Sequence, residues 1–264
     1  MKTLLLMAVL ALCARLPALG AVSLTESTFT EIIRVANVVS ATNQAVAAAR
    51  TNEVFRAPDL VRTGDASRIE MTAPDQTITR VGANTTFTFA PGGRDILLRS
   101  GSVLFHAPAG VGGGTVKYHG TSSAVLGTTM ICTVLPGGRF KVLDIEGHVL
   151  VTLKTQRSIT LKAGQMVLIS ADGTEILDVE TFLIEEVIGR LVLMVGFAEP
   201  LSSLPLIEAA IQEQNAEIAA GTLPPPVSFE VAVFGLGVVP QPVDPGLPNP
   251  PETPDHTMLP VSPD

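Results

Sequence analysis

The chain has 264 residues, and its 25 acidic side chains outnumber 17 basic ones, which gives a formal net charge of −8. Nucleic acids and anionic lipid surfaces are disfavoured as partners, because both bind clustered basic residues and the sequence contains no such cluster. Aromatic residues make up 4% of the chain, with no Trp and one Tyr, which argues against a groove that stacks sugars.

The first residues have the pattern of a secretory signal peptide. Lys2 precedes an apolar run over residues 4–13, and Ala18 and Gly20 are the small residues that a signal peptidase requires before its cleavage site. The apolar run is shorter than the roughly 20 residues needed to span a bilayer. We therefore expect residues 1–20 to be removed, no transmembrane helix to remain, and the protein to be exported to the periplasm or the extracellular space.

Cys132 would then be the only remaining cysteine, because the other one, Cys13, lies in the predicted signal peptide. A single cysteine cannot form an intramolecular disulfide, although the compartment would permit one. The apolar neighbours of Cys132 are typical of a buried strand. We interpret this residue as a small hydrophobic side chain rather than a reactive thiol.

Residues 21–57 contain one extended segment, residues 29–39, followed by an Ala-rich connection over residues 41–50. The spacing of Ile and Val in the extended segment would suit a helix, whereas their β-branched side chains suit a strand. We favour a leading strand.

Residues 58–178 predict an antiparallel-rich β-domain. Short runs of alternating apolar and polar residues are interrupted every few positions by Pro-Asp, Gly-Ala-Asn or Pro-Gly-Gly. Gly101, Gly147 and Gly164 each stand between two apolar strand halves, where glycine marks a bend or a bulge. The predicted fold is mainly β, a compact β-roll or sandwich of short, bent strands, followed by one or two helices and a disordered tail.

Residues 179–221 predict a helical segment. Ser203 is a candidate N-cap for a helix that begins at Pro205, and Gly221 is a stop signal. The glutamates lie largely on one side, and a possible partner-binding face on the other consists of Leu206, Ile207, Ala210, Ile211 and Ile218. Such a face needs an apolar surface, either on the β-domain or on another subunit.

Residues 222–264 form a Pro-rich tail. From Pro240 onward, nine of the last 25 residues are proline, which is too dense for a strand or helix. We expect this end to be extended, mobile and similar to polyproline.

The candidates for catalysis are weak. Asp144 and Glu146 are two positions apart on a predicted strand, so we expect them to point the same way. Glycosidases instead hold their two carboxylates on separate elements across a cleft. His106, His119 and His148 lack metal-ligand spacing. We predict no catalytic residue, no metal site and no cofactor.

Six segments, in order, resemble the FecR domain, most closely its exported versions. They are LVRTGDASRIE, PDQTITRVGANTTFTF, ILLRSGSVLF, VLGTTM, VLDIEGHVLV and LKAGQMVLI. The resemblance implies a compact β-roll with a structural signature at Gly64, Asp65, Arg68, Asp75, Arg80, Gly101, Gly127, Thr128, Gly147 and Gly164. We interpret the glycines and aspartates as turn residues and expect the two arginines to pair with Asp65, Asp75 or Glu70.

The resemblance also bears on function. Regulatory members of that family join a cytoplasmic anti-sigma segment, through a membrane helix, to a periplasmic domain that receives a signal from an outer-membrane receptor. We expect this chain to keep only the exported portion, as a non-enzymatic domain that binds an envelope protein or acts as a sensing adaptor. One alternative is a structural or surface-matrix protein tethered by its Pro-rich tail, and another is a hydrolase on a β-scaffold.

Export predicts a new N-terminus. The mature protein, recovered from the periplasm or the medium, should begin at Ala21 or within a residue or two of it, as measured by N-terminal sequencing. Recovery of the chain in a membrane fraction with Met1 intact would contradict cleavage.

Overall fold

The computed structural model describes residues 23–234, so the predicted signal peptide and the Pro-rich end from residue 235 lie outside the described residues. The described chain forms sixteen strands and four α-helices. The strands are β1 (Thr28–Ile33), β2 (Ala36–Val39), β3 (Val46–Ala48), β4 (Leu60–Thr63), β5 (Arg68–Thr72), β6 (Ile78–Val81), β7 (Thr86–Phe89), β8 (Asp95–His106), β9 (Gly114–Tyr118), β10 (Thr121–Val125), β11 (Thr129–Val134), β12 (Phe140–Glu146), β13 (His148–Thr152), β14 (Ser158–Lys162), β15 (Gln165–Ile169) and β16 (Ile176–Thr181). The helices are α1 (Ile184–Arg190), α2 (Val192–Val195), α3 (Leu204–Ala220) and α4 (Phe229–Phe234). The predicted mainly β fold followed by helices is confirmed.

The strands form two sheets that share the long strand β8. Sheet A has the order β1-β5-β6-β8-β11-β12-β15-β16, and sheet B has the order β3-β2-β4-β7-β8-β9-β10-β13-β14. Residues 95–100 of β8 pair within sheet B, whereas residues 101–106 pair within sheet A. Within residues 23–234 every strand pair is antiparallel except β8 with β9.

The molecule has three layers, because sheet A is covered on both faces. One core lies between the sheets, and a second lies between sheet A and the helices. On β12, Phe140 and Val142 belong to the inter-sheet core, whereas Leu143 and Ile145 belong to the core beneath the helices. A strand buried on both faces reads as a continuous apolar run, which explains the sequence of this segment.

The leading segment forms strands, as favoured from the sequence, but it is divided into two. Arg34 has a φ of 66° between β1 and β2. As a result, β1 pairs with β5 in sheet A and β2 pairs with β4 in sheet B. The Ala-rich connection contributes β3, which pairs with β2. This segment is therefore part of both sheets.

Glycines lie where the chain passes from one sheet to the other. Gly101 marks the change of sheet within β8, Gly147 joins β12 to β13, and Gly164 lies between β14 and β15. Their φ angles are 82°, 88° and 79°, in the region that other residues rarely adopt. A Cβ at Gly101 would lie 2.5 Å from the Cα of Thr85.

The prediction of a helical segment over residues 179–221 is only partly correct. Thr181 still belongs to β16, and α1 and α2 are separated from α3 by a non-helical stretch, residues 196–203. Gly221 ends α3 as predicted, with a φ of 66° and its N–H directed to the carbonyls of Glu217 and Ile218.

The apolar face predicted for α3 is divided by the packing. Ile207 is fully buried against sheet A, and Ala210 and Ile211 pack beside it. Leu206 and Ile218 are about half exposed, so these five residues do not form one continuous partner-binding surface.

None of the helices within residues 23–234 is long and apolar enough to cross a membrane.

The same substitution, glycine to alanine, should have opposite effects on stability at Gly101 and at Gly189. Gly101→Ala should lower the free energy of unfolding by about 1–3 kcal/mol, because it forces a Cβ onto Thr85 at a positive φ. Gly189→Ala, in α1, meets no atom within 4 Å and should stabilise the protein by about 0.5–1 kcal/mol. Urea unfolding of both variants measures the two effects, and a neutral Gly101→Ala would contradict the close approach.

Candidate functional site

Arg80 joins sheet A to the helical layer. It is fully buried, and its Nε donates to Oε2 of Glu70 at 2.9 Å, a pairing suggested by the sequence. Its other N–H groups donate to the carbonyls of Leu193, Met194 and Glu199. The guanidinium also lies 4.4 Å from the ring centroid of Phe197. The residues that follow α1 are therefore fixed to the sheet through one side chain.

The other predicted ion pairs differ from the expectation. Arg68 donates its Nε to the carbonyl of Gly196 and pairs with no carboxylate within the described chain. Asp75 pairs with Arg94, which the sequence analysis did not single out, and also accepts from the backbone N–H of Thr77. These contacts join residues far apart in the chain, so local spacing did not reveal them.

The turn residues of the signature have local partners, with one exception. The carbonyl of Gly64 accepts the backbone N–H of Ser67, and Oδ1 of Asp65 accepts the N–H of Ala66. Gly127 has a φ of 85° in the turn from β10 to β11. The exception is Thr128, whose hydroxyl is buried and makes no hydrogen bond within residues 23–234.

Three ionisable side chains of β12 are buried. Nζ of Lys141 donates to the carbonyls of Ala232 and Val233 in α4, and burial lowers the pKa of this ammonium to about 7. The Asp144 carboxyl is completely buried and has no cationic partner within residues 23–234. Burial, with a smaller contribution from the charge of Glu146, raises the pKa of Asp144 to about 8.

Asp144 and Glu146 do not point the same way, so that expectation is wrong. Met130 pairs with Asp144 and Thr129 pairs with Glu146, which leaves Ile145 as an extra residue in a bulge. Strand alternation directs Asp144 toward the inter-sheet core, whereas the bulge returns Glu146 to the helical side. The two carboxyl groups therefore cannot face one substrate.

A buried polar cluster lies beneath the beginning of α3. The Thr129 hydroxyl lies 3.0 Å from Nδ1 of His106 and is within hydrogen-bond distance of Oε2 of Glu146 and Oγ of Ser203. Ser203 was predicted to cap α3, but its hydroxyl makes no capping bond and joins this cluster instead. Burial raises the pKa of Glu146 and lowers that of His106.

A groove opens above this cluster, at the corner where sheet A turns into sheet B. We call it the corner groove. It has a volume of about 500 Å³, and Glu146 and Gly147 lie on its sheet side. Glu213 and Glu217 of α3 form the opposite wall. His148, which neighbours Gly147, also lines it.

A second groove adjoins the first on sheet B. We call it the sheet groove. Its volume is about 630 Å³, and it shares Gly147 and His148 with the corner groove. Leu126 and Leu150 are its exposed apolar residues, with 84% and 46% of their surfaces accessible. The sequence analysis missed both grooves, because they are formed by strands and a helix that are distant in sequence.

Gln214 fixes α3 beside the corner groove. Its Nε2 donates to the carbonyl of Phe182 at 2.8 Å, and its Oε1 accepts the N–H of Ile184 at 3.0 Å. A Cβ at Gly164 would lie 2.3 Å from the same Nε2. Glycine at position 164 therefore allows α3 to approach the sheet.

Within residues 23–234, no three His, Cys, Asp or Glu side chains lie close enough together to hold a metal ion. Cys132 is completely buried, and burial raises the pKa of its thiol far above the usual range. Among the residues that the structure describes, Glu146 is the one buried carboxyl that lines the corner groove.

Comparisons with known proteins give limited information. No family model matches the chain, and no curated protein matches it. Two crystal structures of a "putative anti-sigma factor" from Parabacteroides distasonis ATCC 8503 are similar, each at 16% identity. The matches cover 60% and 61% of this chain and 92% and 91% of those chains, with TM-scores of 0.41 and 0.40. A likeness of this strength assigns neither a family nor a function.

Arg80 predicts a strong dependence of stability on one buried ion pair. Arg80→Met should lower the free energy of unfolding by about 3–5 kcal/mol, because it leaves Glu70 buried without its cation. Lys117→Met removes an exposed pair with Asp95 and should cost less than about 1 kcal/mol. Chemical denaturation of the two variants tests this contrast, and equal losses would contradict it.

Asp144 predicts a loss of stability as the pH rises. Its pKa is about 8 in the folded protein and about 3.9 in an unfolded chain. Between these values the folded state holds a proton that the unfolded state has released, so a rise in pH favours unfolding. Asp144→Asn removes this effect. The advantage of the variant over the native protein should grow between pH 4 and pH 8, by on the order of 2–5 kcal/mol.

Denaturation at several pH values measures this advantage. Glu175→Gln, which changes an exposed carboxylate, is the control and should follow the native profile. Parallel profiles for Asp144→Asn and the native protein would show that Asp144 is ionised in the fold.

Proposed function

We propose that the protein is a non-enzymatic, FecR-like extracytoplasmic domain that binds an envelope protein and acts as a sensing adaptor. The observation that carries this proposal is the meeting of two grooves at Gly147 and His148, beside the highly exposed Leu126. An exposed apolar side chain beside polar walls is typical of a surface that binds another protein. The order of the FecR-like segments in the sequence supports the same reading.

The arrangement of the polar groups favours binding over catalysis. Asp144 lies on the inter-sheet side of β12 and Glu146 on the helical side, so they do not form an acid–base pair across a cleft. The hydroxyls of Thr129 and Ser203 are buried under α3 and bond to each other. A substrate would have to displace the helix to reach them.

The proposal is tested by affinity capture from an envelope extract with the mature chain as bait. We expect one stoichiometric partner that is retained by the native protein and lost with Leu126→Ser. Val46→Ser is the matched control, because Val46 is also exposed but lies on β3, at the far edge of sheet B. Bulk association with cell-wall material, equal in all three proteins, would instead support a surface-matrix protein.

A further inference from the structure

The corner groove has a charge pattern that specifies its occupant. We propose, building on the proposed function, that the partner inserts a basic side chain of an extended polypeptide segment into the corner groove and lays a neighbouring apolar side chain on Leu126 in the sheet groove. The partner is thus recognised by a cation and an apolar group held close together on one chain.

Across the corner groove, an acidic wall on α3 faces a wall formed by β13 and β14. Glu213 and Glu217 are four residues apart on α3 and therefore lie on the same side of the helix. His148 and Lys162 are direct cross-strand partners on β13 and β14 and form the other wall. A volume of about 500 Å³ is within the range of ligand pockets and accepts a long side chain with part of its backbone.

The carboxylates of the groove lack cationic partners. The four ion pairs found within residues 23–234 include none of Glu146, Glu213 and Glu217. Only 8% of the surface of Glu146 is exposed, and Thr129 bonds to one of its oxygens. None of the ion pairs within residues 23–234 involves this carboxyl, which lines the groove without a cationic partner. A guanidinium or ammonium bound there would make a partly desolvated, charge-assisted hydrogen bond.

The sheet groove supplies the apolar half of the surface. Leu126, the most exposed large hydrophobic residue of the described chain, stands beside Leu150 and Ala124. The buried Thr128 hydroxyl, which has no hydrogen-bond partner in the described chain, belongs to a residue that lines the same groove.

The two grooves meet at Gly147 and His148, so one short segment can occupy both. The formal net charge of −8 adds a general attraction for a basic partner. Glu146, Glu213 and Glu217, which have no cationic partner in the described chain, concentrate this attraction at the corner groove. A polypeptide carries a basic and an apolar side chain at adjacent positions, which matches the neighbouring charged and apolar halves.

The inference is tested with a fluorescein-labelled peptide of alternating leucine and lysine, whose binding to the mature chain is followed by fluorescence anisotropy. In one control peptide every lysine is replaced by glutamate, and in another every leucine is replaced by serine. We expect the leucine–lysine peptide to bind more tightly than either control by at least about tenfold. Equal binding of the glutamate peptide would overturn the inference.

Matched variants locate the site. Glu213→Gln with Glu217→Gln should weaken binding of the leucine–lysine peptide by about tenfold, because the acidic wall is lost. Glu185→Gln with Glu208→Gln removes the same charge from exposed positions outside the groove and should leave binding within about twofold. Glu146→Gln tests the floor and should weaken binding in the same direction. If both double variants lost the same affinity for the peptide, the effect would come from net charge alone, and the inference would be overturned.

Envelope capture separates this inference from the proposed function. If the captured partner is lost with Leu126→Ser but bound unchanged by the Glu213→Gln, Glu217→Gln variant, the basic segment is excluded while the adaptor function stands. If no partner depends on Leu126, the proposed function itself fails.

Discussion

The guanidinium of Arg80 is the contact on which the arrangement of the three layers depends. A buried charge is tolerated only when it is paired and its hydrogen bonds are satisfied. Glu70 supplies the charge from the neighbouring strand, and three carbonyls of residues 193–199 supply the remaining acceptors. Arg80 can be buried in sheet A only when residues 193–199 lie over the sheet and supply these acceptors. The ion pair therefore couples the formation of the sheet to the docking of the helices.

The same principle fixes the other end of the helical layer. Lys141 emerges from the middle of sheet A without a carboxylate partner and is satisfied by two carbonyls at the end of α4, where the helix dipole is negative. Apolar side chains alone would permit several helix positions, because hydrophobic contact has little directionality. Hydrogen bonds from Arg80 and Lys141 select one position. The position of α3 is fixed in the same way, by the hydrogen bonds of Gln214 and by the contact between Thr129 and Ser203.

Local patterns in the sequence predicted the strands, the stop at Gly221 and glycines at strand bends, because each depends on a few consecutive residues. The division of residues 29–39 into two strands depends on a positive φ at Arg34, which no turn motif in the sequence predicted. The partner of Asp75 and the role of Ser203 depend on residues 19 and 74 positions away. Alternation alone also placed Glu146 wrongly, because a bulge is set by the register of the paired strand.

The candidate site follows from the way the sheets are joined. Gly147 has no side chain to fill the corner, and a Cβ there would already meet Thr128. Gly164 lets Gln214 hold α3 close to the sheet, at a distance set by backbone contact. The helix then spans a corner that small residues leave unfilled, with its glutamates facing β13 and β14. A groove at this position is thus a consequence of the strand crossings. The exposed Glu213 and Glu217 on its helical wall can suit a partner without altering the cores.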